Sequence, residues 1–128
     1  MARILLVDDD AAVRRVVRLT FERAGHTVVE AESAFQALDL LKSELPDAVV
    51  SDVYMPGMDG LVFYQHLVQR APSLRSRVVF LTGANRDPDV HRPIEKLGVP
   101  LLGKHDDLQL VIDAIRVALL RPLEPEGI

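Results

Sequence analysis

Four places in this chain bear side chains that could together hold and transfer a charged group: the run Asp8-Asp9-Asp10, Asp52, Thr82 and Lys104. Asp52 stands in Ala48-Val49-Val50-Ser51-Asp52-Val53-Tyr54-Met55-Pro56-Gly57-Met58-Asp59-Gly60, where an apolar run delivers one aspartate to a glycine-rich turn. Carboxylates drawn together repel one another, and burying them uncompensated is costly or raises a pKa. A hard cation relieves that conflict, and oxygen ligands with room for water suit Mg²⁺. The ammonium of Lys104 and the hydroxyl of Thr82 would add a fixed cation and a donor for the oxygens of a transferring phosphoryl group. Asp52 would then be the nucleophile and become an acyl phosphate. Each residue alone has an ordinary explanation: a turn aspartate, a helix cap, a strand end, a surface lysine. The chemistry depends on whether the fold brings them together.

The elements around these residues give the means. Ile4 to Val7 form a continuous apolar run, as expected of a strand buried on both faces of a parallel sheet, with Asp8 and Asp9 at its tip. Asp10 is a candidate N-cap for a helix that turns Val13, Val16, Val17, Phe21 and Ala24 inward and Arg14, Arg15, Arg18 and Arg23 outward, closed by Gly25. Thr27 to Ala31 read as a second strand, and Ser33 caps a helix with Ala34, Ala37, Leu38 and Leu41 on one face and Pro46 closing it off. The strand from Ala48 carries Asp52. Asp59 caps a helix over about 61–70 that buries Leu61, Tyr64, Leu67 and Val68 and ends at Pro72.

Arg77 to Thr82 are the fourth strand, followed by Gly83 and Ala84, small enough to let another molecule approach the backbone. Pro88 suits a helix start, but Pro93 limits the fourth helix to one or two short turns or a late start, ending at Gly98. Val99 to Gly103 form a short fifth strand that Pro100 demotes to a sheet edge, with Lys104 just past it. Asp106 or Asp107 caps the last helix, with Leu108, Val111, Ile112, Ile115 and Leu119 inward. This alternation predicts an α/β fold: a five-stranded parallel sheet in the flavodoxin-like doubly wound order 2-1-3-4-5, with helices on both faces. That order sets the tips of the first and third strands side by side at the switch point, so Asp8, Asp9 and Asp52 converge.

Length and composition set limits. A chain of 128 residues with 48% hydrophobic content fills one domain and leaves no room for a second, output domain. Its formal net charge is -4, and Lys and Arg are scattered, so nucleic-acid binding by this chain alone is not expected. There are no cysteines, which excludes disulfides and thiolate metal sites. The first apolar run is too short, and too acidic at its end, for a signal peptide, and no run reaches membrane-spanning length, so the cytoplasm is the expected location. His26, His66, His91 and His105 show no metal-ligand spacing and read as surface residues.

The sequence resembles the receiver domains of two-component response regulators along nearly its whole length. The resemblance rests on Ile4-Leu5-Leu6-Val7-Asp8-Asp9-Asp10, the segment Ser51 to Gly60, Phe80-Leu81-Thr82-Gly83 and Lys104, in family order with family-like spacing. It implies a receiver domain over 1–121 and a flexible tail over 122–128. It further implies that Asp52 accepts a phosphoryl group from the phosphohistidine of a sensor histidine kinase or histidine phosphotransfer protein. Asp9 and Asp52 would ligate Mg²⁺ directly, Asp8 through water, and the Tyr54 carbonyl would complete the set. Thr82, with Gly83 beside it, would move toward the phosphoryl oxygens, and Lys104 would pair with them. A downstream protein would read the face built from the fourth helix, fifth strand and fifth helix, and a homodimer stays open. The first helix, in this family commonly the kinase-docking element, is a secondary candidate surface.

Two positions depart from the family pattern. Lys104 is followed by His105 where the family usually has proline, so the bond is expected trans. Leu101 stands where a Tyr or Phe commonly packs inward when the threonine moves, which puts coupling to the output face in question. The segment from Asn85 to Asp107 looks similar to receivers attached to hybrid sensor kinases. Tyr54 and Ala84 lie where hydrolytic water must approach, and Tyr54 is expected to shield the acyl phosphate. Two rivals remain: a receiver-like binding module without phosphoryl chemistry, and a phosphatase similar to the haloacid dehalogenases, with Asp8 as nucleophile, Thr82 and Lys104 as later motifs, and a need for a later acidic pair where Asp106 and Asp107 read as a helix cap.

Overall fold

A computed structural model describes residues 1–83 and 87–121. Ala84 and the tail over 122–128 therefore lie outside the described residues. In chain order the elements are β1 (Arg3–Val7), α1 (Ala11–Arg23), β2 (Thr27–Ala31), α2 (Ala34–Leu40), β3 (Ala48–Asp52), α3 (Gly60–Arg70), a short 3-10 turn (Pro72–Leu74), β4 (Val78–Thr82), α4 (Pro88–Glu95), β5 (Leu101–Gly103) and α5 (Leu108–Leu120). The strands form one parallel sheet in the order β2-β1-β3-β4-β5. Among the described residues no helix is long and apolar enough to cross a membrane.

Strand alternation divides the core in two. Leu5, Val7, Val49, Val78 and Phe80 point to the face covered by α2, α3 and α4, where they meet Leu38, Phe63, Leu67 and Ile94. Ile4, Leu6, Val50, Val79 and Leu81 point to the opposite face and meet Val17 and Phe21 of α1 and Val111 and Ile115 of α5. Because Thr82 continues the series Val78, Phe80, its side chain falls on the α4 side of the sheet. Leu101 packs on that side too, and Leu102 on the other.

The helix starts follow their caps. Asp10 accepts from the backbone N–H groups of Ala12 and Val13, Ser33 from Gln36, Asp59 from Val62 and Asp107 from Gln109. Gly25 closes α1 at φ 94°, a conformation few other residues adopt. The other candidate cap, Asp106, accepts instead from the Gly103 N–H at 2.8 Å and pins the loop that carries Lys104. As expected, the Lys104–His105 bond is trans.

Several expectations about facing are corrected. Val16 is 53% exposed and Ala24 is exposed, because α1 buries only the narrow stripe of Val17 and Phe21. Arg14 and Arg18 are not freely solvated: both reach across to Glu30 of β2, at 3.2 and 2.7 Å. Phe63 is fully buried in α3 while Leu61 and Val68 are only half-buried. α2 ends at Leu40, well short of Pro46, and β5 starts only at Leu101. His91 is buried, at 4% exposure, and is not a surface residue.

The loop after Asp52 is held by an unusually close backbone approach. The Gly60 N–H donates to the Val53 carbonyl at 2.7 Å, and a Cβ at Gly60 would lie 3.1 Å from Val53 Cα and 3.0 Å from the Phe80 ring. Since the backbone cannot yield there, Gly60→Ala is expected to lower stability by about 1–3 kcal/mol, read as the shift of a thermal or urea transition.

Candidate functional site

The sheet order and the strand ends do the positioning. β1 and β3 are neighbours with Val7 paired to Ser51, so the residues immediately beyond, Asp8 and Asp52, come out side by side. Asp8, Asp9 and Asp52 each present a carboxylate oxygen within 4.8 Å of the others. Asp8 and Asp52 are buried and Asp9 is exposed, which leaves the cluster open toward solvent on one side.

Lys104 closes the cluster from the far side of Asp52. Its backbone N–H donates to the Thr82 carbonyl at 2.8 Å, extending the β4–β5 ladder by one step and aiming the side chain back over β3. Its Nζ lies 2.9 Å from Asp8 Oδ2 and 3.0 Å from Asp52 Oδ2. The remaining oxygens are also held: Asp52 Oδ1 accepts from the Tyr54 N–H at 3.3 Å, and Asp8 Oδ1 from the Asp10 N–H at 2.8 Å. Arg14 donates to the Asp8 carbonyl at 2.6 Å, so α1 is tied to the same tip.

The charges do not balance. Burial pushes the Asp52 carboxyl above the usual carboxylate range and the nearby Asp8 charge adds to it, while Lys104 and the Tyr54 N–H pull the other way without cancelling the rise. Burial also works against the Lys104 ammonium, but its hydrogen bonds and ion pairs with Asp8 and Asp52 together outweigh that and raise its pKa. With three carboxylates and one ammonium the cluster keeps an excess of negative charge. All-oxygen donors and an open side fit a small hard divalent cation that retains water.

Thr82 is fully buried on the α4 side, and its hydroxyl engages His91 Nε2 at 2.8 Å, not Asp52 or Lys104. Nδ1 of the same imidazole lies 3.0 Å from the Asp87 carbonyl and 3.2 Å from the Tyr54 hydroxyl. The Tyr54 oxygen in turn accepts from the Asp87 N–H at 3.0 Å, and the two rings pack with centroids 5.6 Å apart. The structure thus gathers Asp8, Asp9, Asp52 and Lys104 directly, places Tyr54 beside them, and sets Thr82 next to them but engaged elsewhere. Gly83 follows Thr82 with no described atom within 4 Å of where a Cβ would stand. Leu101 sits on the Thr82 side of β5 with only apolar atoms to offer.

The sequence reading missed His91. The available signal was its spacing from Ile94, since residues three apart on a helix share a face and Ile94 is an obvious core residue. Asp106 and Asp107 are absorbed in the Gly103 contact and the α5 cap, so the later acidic pair required by the phosphatase reading is otherwise engaged.

Comparison with known proteins agrees with this geometry. Residues 4–116 match the family model described as response regulator receiver domain. The chain is 35% identical over 124 residues to response regulator MprA of Mycobacterium avium, covering 97% of this chain and 53% of that protein. It is 38% identical over 97 residues to the sensory/regulatory protein RpfC of Xanthomonas campestris pv. campestris, covering 75% of this chain and 13% of that protein. The chain therefore spans about half, or much less, of the curated relatives it matches. Among solved structures, a LuxR-family two-component response regulator from Aurantimonas sp. SI85-9A1 superposes with a TM-score of 0.82 at 29% identity, over 99% of this chain and 91% of that one. A match that runs from β1 into α5, on a fold shared with a solved response regulator, means that this chain belongs to the response regulator receiver domain family of two-component signalling.

Proposed function

We propose that the chain is a working phosphoacceptor: Asp52 takes a phosphoryl group from a phosphohistidine on a sensor histidine kinase or histidine phosphotransfer protein. The observation that carries this reading is the pair of contacts from Lys104 to Asp8 and Asp52, which sets one ammonium beside the proposed nucleophile and its acidic neighbour. A carboxylate oxygen of Asp52 attacks phosphorus, the phosphorus–nitrogen bond of the donor breaks, and its electron pair stays on the departing imidazole. Asp9 and Asp52 would hold Mg²⁺ directly, Asp8 through water, with the Tyr54 carbonyl completing the protein ligands. Bound there, the cation would neutralise the charge that accumulates on the phosphoryl oxygens. Lys104 would stay with those oxygens, and Thr82 would turn from His91 to donate to them.

Residues on the α1 side suggest where the donor docks. A cleft lined by Asp10, Val13, Val16, Lys104, His105 and Leu108 adjoins the acidic tip, and Val16 is exposed at its rim. The phosphorylated state would be read on the face made by α4, β5 and α5, where Leu110, Val117 and Leu120 are exposed.

Three outcomes are expected. Wild type incubated with Mg²⁺ and a small phosphodonor gains one acid-stable, base-labile acyl phosphate by mass spectrometry, and Asp52→Asn gains none. Labelling that survives in Asp52→Asn but is lost in Asp8→Asn would favour the phosphatase reading, and no labelling of wild type would favour a binding module. Tyr54→Ala is expected to speed phosphate loss several-fold because the ring covers the water path, whereas Tyr54→Phe, which keeps the ring, should not; equal rates in all three would reject the shield.

Lys104→Met leaves two buried carboxylates facing each other, with an expected loss of about 1.5–3 kcal/mol of stability near neutral pH in the absence of divalent cations. The sign with pH follows from Asp52. Its pKa is already raised in the folded state, so the native protein holds that proton more tightly than the unfolded chain. The stability this proton confers is present at low pH and fades as pH rises through the folded pKa. Removing the ammonium raises that pKa further, so the deficit should shrink as pH is lowered, as read by urea unfolding across pH.

A further inference from the structure

Among the described residues, the Thr82 hydroxyl has one polar side-chain partner, His91, and both residues are buried. The hydrogens on that contact can be assigned from its surroundings. His91 Nδ1 lies 3.0 Å from the Asp87 carbonyl, which can only accept, and 3.2 Å from the Tyr54 hydroxyl, which can do either; the shorter contact, to the group with no alternative role, assigns the hydrogen to Nδ1. In the neutral ring Nε2 is then an acceptor, and the 2.8 Å contact is a Thr82 O–H donated to His91.

A threonine hydroxyl has one proton to give. Directed at His91 Nε2, it is unavailable to a phosphoryl oxygen near Asp52. The other end of the imidazole is anchored at the start of α4: Asp87 caps the helix, its N–H donates to the Tyr54 hydroxyl, and that hydroxyl lies against His91 Nδ1. α4 has eight residues, and Pro93 within it removes the N–H that would bond the Asp89 carbonyl. So short a helix owes its placement chiefly to contacts made by its inner face, here His91 and Ile94.

We infer that His91 is a positioning residue through which α4 competes with the phosphoryl group for the Thr82 hydroxyl proton. The inference rests on the phosphoacceptor reading and deepens it by naming what Thr82 must leave. Phosphorylation redirects the Thr82 O–H from His91 Nε2 to a phosphoryl oxygen and frees the inner face of α4 from the tip of β4. Leu101 of β5, on the same side, has no polar atom with which to take over the hydroxyl, so the link to the output face runs through α4. Conversely, a partner that draws α4 away from the sheet releases Thr82 and favours phosphorylation, since the coupling is reciprocal.

The test uses wild type, His91→Phe, His91→Gln and Tyr54→Phe with Mg²⁺ and beryllofluoride, a stable mimic of the phosphoryl group, and the dissociation constant is measured by NMR. His91→Phe keeps the ring volume without the acceptor, and is expected to bind beryllofluoride about fivefold tighter, the size of one net hydrogen bond no longer lost on binding. In the free protein, its Thr82 methyl and amide signals should move toward their beryllofluoride-bound positions. His91→Gln restores an acceptor and should return both readouts toward wild type. Tyr54→Phe, which steadies His91 less, should shift affinity in the same direction by a smaller factor, and it carries the test if His91→Phe does not fold. Equal affinity and unmoved Thr82 signals in the folded variants overturn the inference while leaving Asp52 as phosphoacceptor. Failure of wild type to bind beryllofluoride overturns the phosphoacceptor reading itself.

Discussion

One ammonium group holds the business end of this molecule together. Lys104 reaches from the end of β5 across β4 and β3 to touch Asp8 and Asp52 at once, and thereby makes a tolerable site out of carboxylates that would otherwise drive one another apart. The arrangement depends on sheet order, because only with β3 between β1 and β4 do the acidic tips adjoin while a side chain from β5 still spans the gap. The ion pairs leave an excess of negative charge and an open side, and these are the features that a hydrated divalent cation would use. A carboxylate whose charged form is disfavoured by burial and by a neighbouring carboxylate is one that a nearby cation would stabilise.

A second constraint acts on the other side of Asp52. Strand alternation sends Thr82 to the α4 face, where it is fully buried, and a buried hydroxyl is costly without a hydrogen-bond partner. His91 is that partner, and Tyr54 and Asp87 complete a small polar network in an otherwise apolar layer. The network joins the loop after β3, the tip of β4 and the start of α4. With leucine at position 101, the polar partner of Thr82 is supplied by His91, against which the Tyr54 ring packs.

The fold and most of the site were legible without coordinates, for reasons that can be named. Short apolar runs leading to an aspartate, and single capping residues such as Ser33 and Asp59, act over a few residues and are written locally. Errors arose where the outcome was a contest between elements. Val16 has the right spacing for the core, yet α1 lies at an angle that buries Val17 and Phe21 and leaves Val16 out. Arg14 and Arg18 read as a solvated face until β2 is seen to present Glu30 beneath them. His91 has no metal-ligand spacing to other histidines and so reads as a surface residue; its partner, Thr82, is on another element.

By itself, then, the sequence determined which residues stand at the tips of the strands, which helices cover the sheet and what chemical types are available, since period, capping and turn chemistry are properties of neighbouring residues. The tertiary structure alone decided who touches whom: that Lys104 bridges Asp8 and Asp52, that Asp106 braces Gly103, and that the Thr82 hydroxyl meets His91. Those pairings follow from strand register and helix placement, which arise from the packing of the whole chain and are encoded in no single stretch of it.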